Sequence, residues 1–306
     1  MNPRSRSAGL LAVLLVIVAC SPSGGRPTPS PSPTGGASAS AGSVLPTIIS
    51  RELVSGPNRV IFSFLDASGT RPVAAPDRTA RVQFRGPGGE SVAAAAGEFV
   101  WAIEGVSGVY VTHADFPVAG AWTAVFATAA PGSPEESIPF SFDVKADASV
   151  VVPGETAPSV DTPTLADVGD DVTKISTDAT PVPAFYETSV ADALAAHDPF
   201  VLVFATPKFC QTAVCGPTLE KVKEVAAAHP DVTIINVEPY QLELVDGQLQ
   251  PRLSAANQLQ AVPAADAYGL LSEPFIFVVG GDGVVTASFE LIFTTDEINE
   301  ALAGLS

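Results

Sequence analysis

Three cysteines, Cys20, Cys210 and Cys215, are the residues of this chain best suited to covalent chemistry. Cys210 and Cys215 are separated by Gln-Thr-Ala-Val, and Cys215 is followed by Gly216-Pro217-Thr218. Two thiols so close can form a static disulfide, exchange it with a partner's thiols, or share a metal ion. Were both on one helix, their Cα atoms would be roughly 8 to 9 Å apart, beyond the ~7 Å that a disulfide spans. One of them must therefore precede the helix. Pro217 suits a first helical turn, where a missing N–H is not needed, so Cys215 falls near the N-cap and Cys210 in the loop before it. Unpaired N–H groups and the helix dipole favour a thiolate there, which makes Cys215 the candidate nucleophile and Cys210 its resolving partner. Lys208 is placed to stabilise that thiolate.

The elements that must position this pair follow from the pattern of residues 185–306. A helix is predicted near Ser189 to Ala196, an apolar strand from Phe200 to Ala205, and a helix from about Gly216 to Ala228. A strand from Val232 to Val237, an irregular insert from Glu238 to Pro263, and a strand after Pro274 come next. A hairpin through Gly280-Gly281-Asp282-Gly283, a strand from Val284 to Phe289 and a helix from Thr295 to Ala303 complete an α/β order.

That order, with Val201-Leu-Val-Phe-Ala-Thr-Pro-Lys-Phe-Cys210 and Tyr268-Gly-Leu-Leu-Ser-Glu-Pro274, resembles the thioredoxin fold over about 120 of the 306 residues. The resemblance implies that the bond before Pro274 is cis, that Pro274 faces the cysteines and shapes a substrate groove, and that Glu273 lies near them and disfavours a thiolate. The chain departs from the family in having four residues between the cysteines, in lacking a buried acid within Val201 to Thr206, and in carrying Phe209 or Val214 in place of the usual tryptophan. These losses disfavour a fast reductase and leave slow exchange or a fixed bond open. A metal would be held by Cys210 and Cys215 with Glu273 or a histidine, as copper chaperones of the same fold use two cysteines and a histidine. His113, His197 and His229 read as solvated or satisfied residues, and the single methionine is Met1, within the expected signal. No metal and no cofactor is therefore expected, and no phosphate-cradling GxxxxGK, HExxH or GxSxG motif is present.

The N-terminus predicts where this chemistry takes place. Arg4 and Arg6 precede an apolar run from Leu10 to Ala19, about half the ~20 residues needed to span a bilayer. Ile17-Val18-Ala19-Cys20 resembles the bacterial lipobox, which implies cleavage after residue 19 and lipid attachment at Cys20. The expectation is a lipoprotein tethered to the cell membrane or outer membrane on its extracytoplasmic side. Residues 20–43, rich in Ser, Pro, Gly and Ala, read as a disordered stalk. Loss of residues 1–19 removes two arginines and no acid, taking the formal charge from −18 to −20, so nucleic acid is not an expected partner. The acids are scattered: residues 44–147 carry 7 basic and 11 acidic side chains, and residues 185–306 carry 4 and 16. That pattern describes a solvated surface better than a cation site.

Residues 44–147 alternate in short segments separated by turn signals such as Gly86-Pro87-Gly88-Gly89 and Pro131-Gly132, which predicts a β-sandwich with Trp101 and Trp122 in its core. Gly108-Val-Tyr-Val-Thr-His113 with Phe116-Pro-Val-Ala-Gly-Ala-Trp122 resembles immunoglobulin-like modules of bacterial surface proteins. Residues 148–184, rich in Pro, Thr and Asp, read as an inter-domain linker. The whole predicts a multidomain chain, an all-β immunoglobulin-like sandwich followed by an α/β thioredoxin-like fold. Its expected work is thiol–disulfide exchange with envelope proteins, and whether it is an enzyme stays open. The rival readings are a binding scaffold with a structural disulfide and a copper-handling chaperone. Cys210→Ser separates exchange from the static bond: it should trap mixed disulfides through Cys215 in the first case and only lower stability in the second.

Overall fold

The computed structural model describes residues 43–305, so the signal segment, Cys20 and all of the expected stalk except Ser43 lie outside the described residues. From Val44 to Val144 the alternating pattern forms eight strands: β1 (Val44–Ile48), β2 (Gly56–Asp66), β3 (Thr79–Arg85), β4 (Ser91–Ala96), β5 (Glu98–Ile103), β6 (Ser107–Phe116), β7 (Gly120–Ala129) and β8 (Glu136–Val144). They make two antiparallel sheets, β1-β2-β6-β5 and β4-β3-β7-β8. The period of two decides which side chains turn inward: along β7, Trp122, Ala124, Phe126 and Thr128 are buried and their neighbours are not. They meet Phe62, Phe64, Tyr110 and Phe116 of the opposite sheet in one core. The two fully buried aromatics of the sandwich with a polar tip both have a partner: Trp122 Nε1 donates to the Val118 carbonyl at 3.0 Å and the Tyr110 hydroxyl to that of Ala75 at 2.9 Å. Trp101 is only half-buried, on β5, against Phe99.

Residues 148–184 do not run free between two bodies. Val150 and Ala157 are buried in the C-terminal core. Gly154 N donates to Val285 O at 2.8 Å and Val285 N to Glu155 O at 2.9 Å, so the segment takes its hydrogen bonds from a strand edge. Farther on, Asn236 Nδ2 donates to the Tyr186 hydroxyl at 2.6 Å, which donates to Ser176 Oγ at 2.8 Å. Burial pushes the Tyr186 hydroxyl up to about 12. Gly269, at φ +67, admits this segment closely: a β-carbon there would collide with the Ser149 carbonyl. Proline-rich backbone makes few bonds to itself, and the apolar residues set between these prolines give it a face to bury.

The C-terminal part follows as α1 (Val190–Ala196), β9 (Phe200–Phe204), α2 (Cys215–Ala228), β10 (Thr233–Val237), β11 (Leu242–Val245), β12 (Gln248–Pro251), α3 (Pro263–Ala267), β13 (Phe275–Val279), β14 (Val285–Glu290) and α4 (Thr295–Ala303). Its main sheet has the order β10-β9-β13-β14. β10 runs parallel to β9, and β13 runs antiparallel to β9 and β14. β9 and β13 are buried along their whole length because both faces are covered, which is why they read as unbroken apolar runs. Val201, Val203, Ile276 and Val278 face Leu219 and Val222 of α2 and Ile298 and Leu302 of α4. Phe200, Leu202, Phe204 and Phe277 face α1, α3 and residues 150–157. The insert expected to be irregular carries the β11–β12 hairpin, turned by Asp246-Gly247 with both φ positive at 51° and 76°.

The described residues are therefore β-rich, with fourteen strands and four α-helices, and none of those helices is long and apolar enough to cross a membrane. The two parts share a buried cluster in which Ile61, Val100, Val109 and Val111 from the outer face of the first sheet pack on Val214, Leu291 and Ile292. Around it, Arg59 Nε pairs with Glu297 Oε1 at 2.6 Å, and Lys221 Nζ donates to the Phe293 carbonyl at 2.7 Å and the Trp101 carbonyl at 3.3 Å.

Candidate functional site

β9 delivers the chain into a loop that turns back into α2, whose N-cap is Val214 and whose first residue is Cys215. Ala213 bends the loop at φ 62°, a left-handed conformation that costs a non-glycine residue roughly 1 kcal/mol. Cys210 and Cys215 are joined in a disulfide with their Cα atoms 6.0 Å apart. The separation and the helix start agree with the argument from Pro217.

The two sulfurs sit in unequal surroundings. Cys215, at the start of α2, is fully buried against β9, with Val214 beside it under the sandwich. Cys210 is half-buried, and its Sγ accepts the Cys215 backbone N–H at 3.2 Å and lies 3.3 Å from Thr212 Oγ1. The helix N-terminus thus presents its donor to Cys210, the less buried of the two cysteines.

Glu273 completes the cluster: one carboxylate oxygen and both sulfurs lie within 4.8 Å of one another. The side chain is only 4% exposed. Gln211 N donates to its Oε1 at 2.6 Å and the Tyr240 hydroxyl to its Oε2 at 2.7 Å, while its backbone carbonyl accepts Thr212 Oγ1 at 2.9 Å. Burial, and then the adjoining Glu273 carboxylate, hold the Tyr240 hydroxyl protonated well above its ordinary range. The Glu273–Pro274 bond is cis, and the Pro274 carbonyl accepts Leu291 N at 2.8 Å, which ties this segment to the loop under the sandwich.

Lys208 does not take the place expected of it. Its ammonium donates to the Leu249 carbonyl at 3.3 Å and lies 5.4 Å over the Phe209 ring, and no hydrogen bond joins it to either sulfur. The nearby β11–β12 hairpin offers it a carbonyl while the sulfurs, paired with each other, offer no charge. The histidines are also elsewhere: His113 is exposed on the sandwich, His197 Nδ1 is 3.2 Å from Gly281 O, and His229 Nε2 is 3.0 Å from Asn299 Oδ1.

Two residues escaped the sequence reading. Tyr240 is one, and Glu238, directly after β10, is the other. Burial pushes the Glu238 carboxyl up to about 7 against the pull of Thr206 and Thr177. Thr177 N donates to its Oε1 at 2.6 Å, and the Thr206 hydroxyl stands beside it short of full hydrogen-bond geometry, leaving Thr206 Oγ1 and Glu238 Oε2 without partners. The signal was Glu238-Pro239-Tyr240 placed against the end of a buried strand, a position where polar side chains are rarely idle. A separate cleft of about 810 Å³ is lined by Arg59, His113, Phe275, Phe289 and Glu290 among others, and neither cysteine reaches it.

No protein-family model and no curated protein matches this chain. Among solved structures, that of a DUF4426 family protein from Pseudomonas aeruginosa PAO1 is similar over 34% of this chain and 91% of its own, at 14% identity and a TM-score of 0.25. At that score the likeness carries neither a fold nor an activity across.

Proposed function

We propose that this chain is a lipid-anchored extracytoplasmic protein that exchanges disulfides with envelope proteins through Cys210 and Cys215. The observation that carries the reading is a disulfide with one cysteine sealed and the other only half-buried, at a helix N-terminus, beside the cis bond of Pro274 and the buried Glu273. The sheet order β10-β9-β13-β14, with α2 between the parallel strands, supports a thioredoxin-like assignment for the C-terminal part, and the orders β1-β2-β6-β5 and β4-β3-β7-β8 support an immunoglobulin-like one for the sandwich.

A partner's thiolate attacks Cys210 Sγ, a mixed disulfide forms, and the electron pair of the broken S–S bond leaves on Cys215 Sγ. A second partner thiolate then attacks the mixed disulfide, releasing the partner oxidised and leaving Cys210 and Cys215 as thiols. In this reading the roles expected from the sequence are exchanged, because Cys215 is sealed, whereas Cys210 is only half-buried and receives the helix N–H. Glu273 disfavours negative charge on the adjacent sulfurs, so the pair is a weak oxidant.

The test is the reduction potential of the pair together with trapping. A potential above about −250 mV is expected for exchange, whereas one below about −300 mV marks a structural bond and overturns the reading. Cys215→Ser should accumulate mixed disulfides at Cys210, and accumulation only in Cys210→Ser would restore Cys215 as the attacking residue. The anchor is checked in the same cells: labelled palmitate should enter the wild-type chain and not Cys20→Ala, and equal labelling would remove the lipid from the proposal.

A further inference from the structure

We propose that the reduced protein binds one zinc-class divalent cation through the thiolates of Cys210 and Cys215 and the carboxylate of Glu273. The three ligand atoms already converge within 4.8 Å of one another. Zinc–sulfur bonds of about 2.3 Å in a tetrahedral site set two thiolates about 3.8 Å apart. Opening the disulfide and rotating the two side chains supplies that separation on backbones whose Cα atoms are 6.0 Å apart.

The charge balance argues for a cation. Glu273 is 4% exposed, and both groups that donate to its carboxylate, Gln211 N–H and the Tyr240 hydroxyl, are neutral. Lys208 is turned to Leu249 instead. With the disulfide closed the site holds one buried anion, and with it open two further sulfurs can ionise against that anion. Such a group of anions is costly without a positive partner, and a divalent ion is the partner that also satisfies the sulfurs. Gln211 and Tyr240 hold the carboxylate from behind, as supporting hydrogen bonds orient metal ligands. The half-buried side of Cys210 leaves the fourth position open to water or to a ligand from a partner. A hard carboxylate beside two soft thiolates suits zinc better than copper(I), which two thiolates satisfy alone.

Loading needs reduction. A phosphine gives two electrons to the disulfide and leaves as its oxide, water supplying that oxygen and the two protons, so that two thiols form, and the cation then displaces both thiol protons into solvent. The proposal rests on the pair being reducible, as the exchange reading does.

The experiment uses the full chain in detergent, reduced with a phosphine without oxygen, with the thiols at Cys210 and Cys215 counted by alkylation and mass mapping. Cobalt(II) is then titrated in as the spectroscopic probe, followed by zinc(II). The expected result is thiolate-to-cobalt charge-transfer absorption saturating at one ion per chain, abolished by one equivalent of zinc. Cys210→Ser and Cys215→Ser should each lose the absorption, and Glu273→Gln should weaken binding at least tenfold. Tyr240→Phe, which leaves all three ligands in place, should weaken it a fewfold. Two free thiols with no absorption, or Glu273→Gln binding as tightly as wild type, overturns the metal site and leaves exchange standing. A pair that resists reduction in the folded protein overturns both, and the thiol count tells these results apart.

Discussion

The sandwich and the C-terminal part bury different things. Inside the sandwich the large side chains are Phe62, Phe64, Phe84, Tyr110, Phe116, Trp122 and Phe126, and the buried polar residues are the hydroxyl-bearing Ser63, Thr112 and Thr128. The C-terminal part buries Glu238, Glu273, Asn236 and Thr206 as well. An unpaired carboxylate in a protein interior destabilises the fold, whereas buried aromatic surface stabilises it. The buried carboxyl groups thus lie in the C-terminal part, Glu273 beside the disulfide and Glu238 directly after β10, and buried ionisable groups of this kind gather at functional sites.

The largest expected effect that sharpens this contrast is in the sandwich. Trp122→Ala should lower unfolding stability in denaturant by about 3 to 5 kcal/mol through the cavity it leaves, while the reduction potential of Cys210–Cys215 stays within a few millivolts of wild type. A shift of tens of millivolts would break the contrast and make the sandwich part of the thiol site.

A somewhat smaller effect belongs to Glu238. Its carboxyl is raised from 4.5 to about 7 on folding, so the folded state favours the protonated form. The stability this lends is present in full below pH 4.5, falls as pH rises towards about 7, and is absent above it. The change is on the order of 3 kcal/mol. Glu238→Gln should flatten the stability profile across that window, and an unaltered slope in the variant would clear Glu238 as its source. The smallest effect is that of Tyr240→Phe, which removes one hydrogen bond to Glu273 and should cost about 1 to 2 kcal/mol by thermal or chemical unfolding. A loss no larger than experimental error would mean that Glu273 is held by Gln211 alone.

Local chemistry made some of this legible in advance. Pro217 marked the first turn of α2 and forced Cys210 out of the helix, and the period of two located the strands that carry Trp122 and Phe126. The cis bond at Pro274 was implied by the resemblance of the Tyr268–Pro274 segment to thioredoxins and not by local chemistry. What was not legible depends on residues far apart in the chain. Lys208 was expected on a sulfur and lies on Leu249, a carbonyl 41 residues away, because an ammonium goes to the nearest available acceptor in space. The 148–184 segment read as a linker from its prolines, yet its apolar residues dock on a core that does not exist until the C-terminal sheet forms.

By itself the sequence determined which residues can form the disulfide and where the helix beside it begins, since both follow from fixed bond geometry and the missing N–H of one proline. Only the tertiary structure decided that Cys215 is sealed and Cys210 is half-buried. That asymmetry comes from Val214 packing on Ile61, Val100 and Val111, more than a hundred residues away, and from Glu273 arriving in the segment just before β13. Solvent access and the balance of charge around a sulfur are properties of the packed surroundings, and no spacing along the chain contains them.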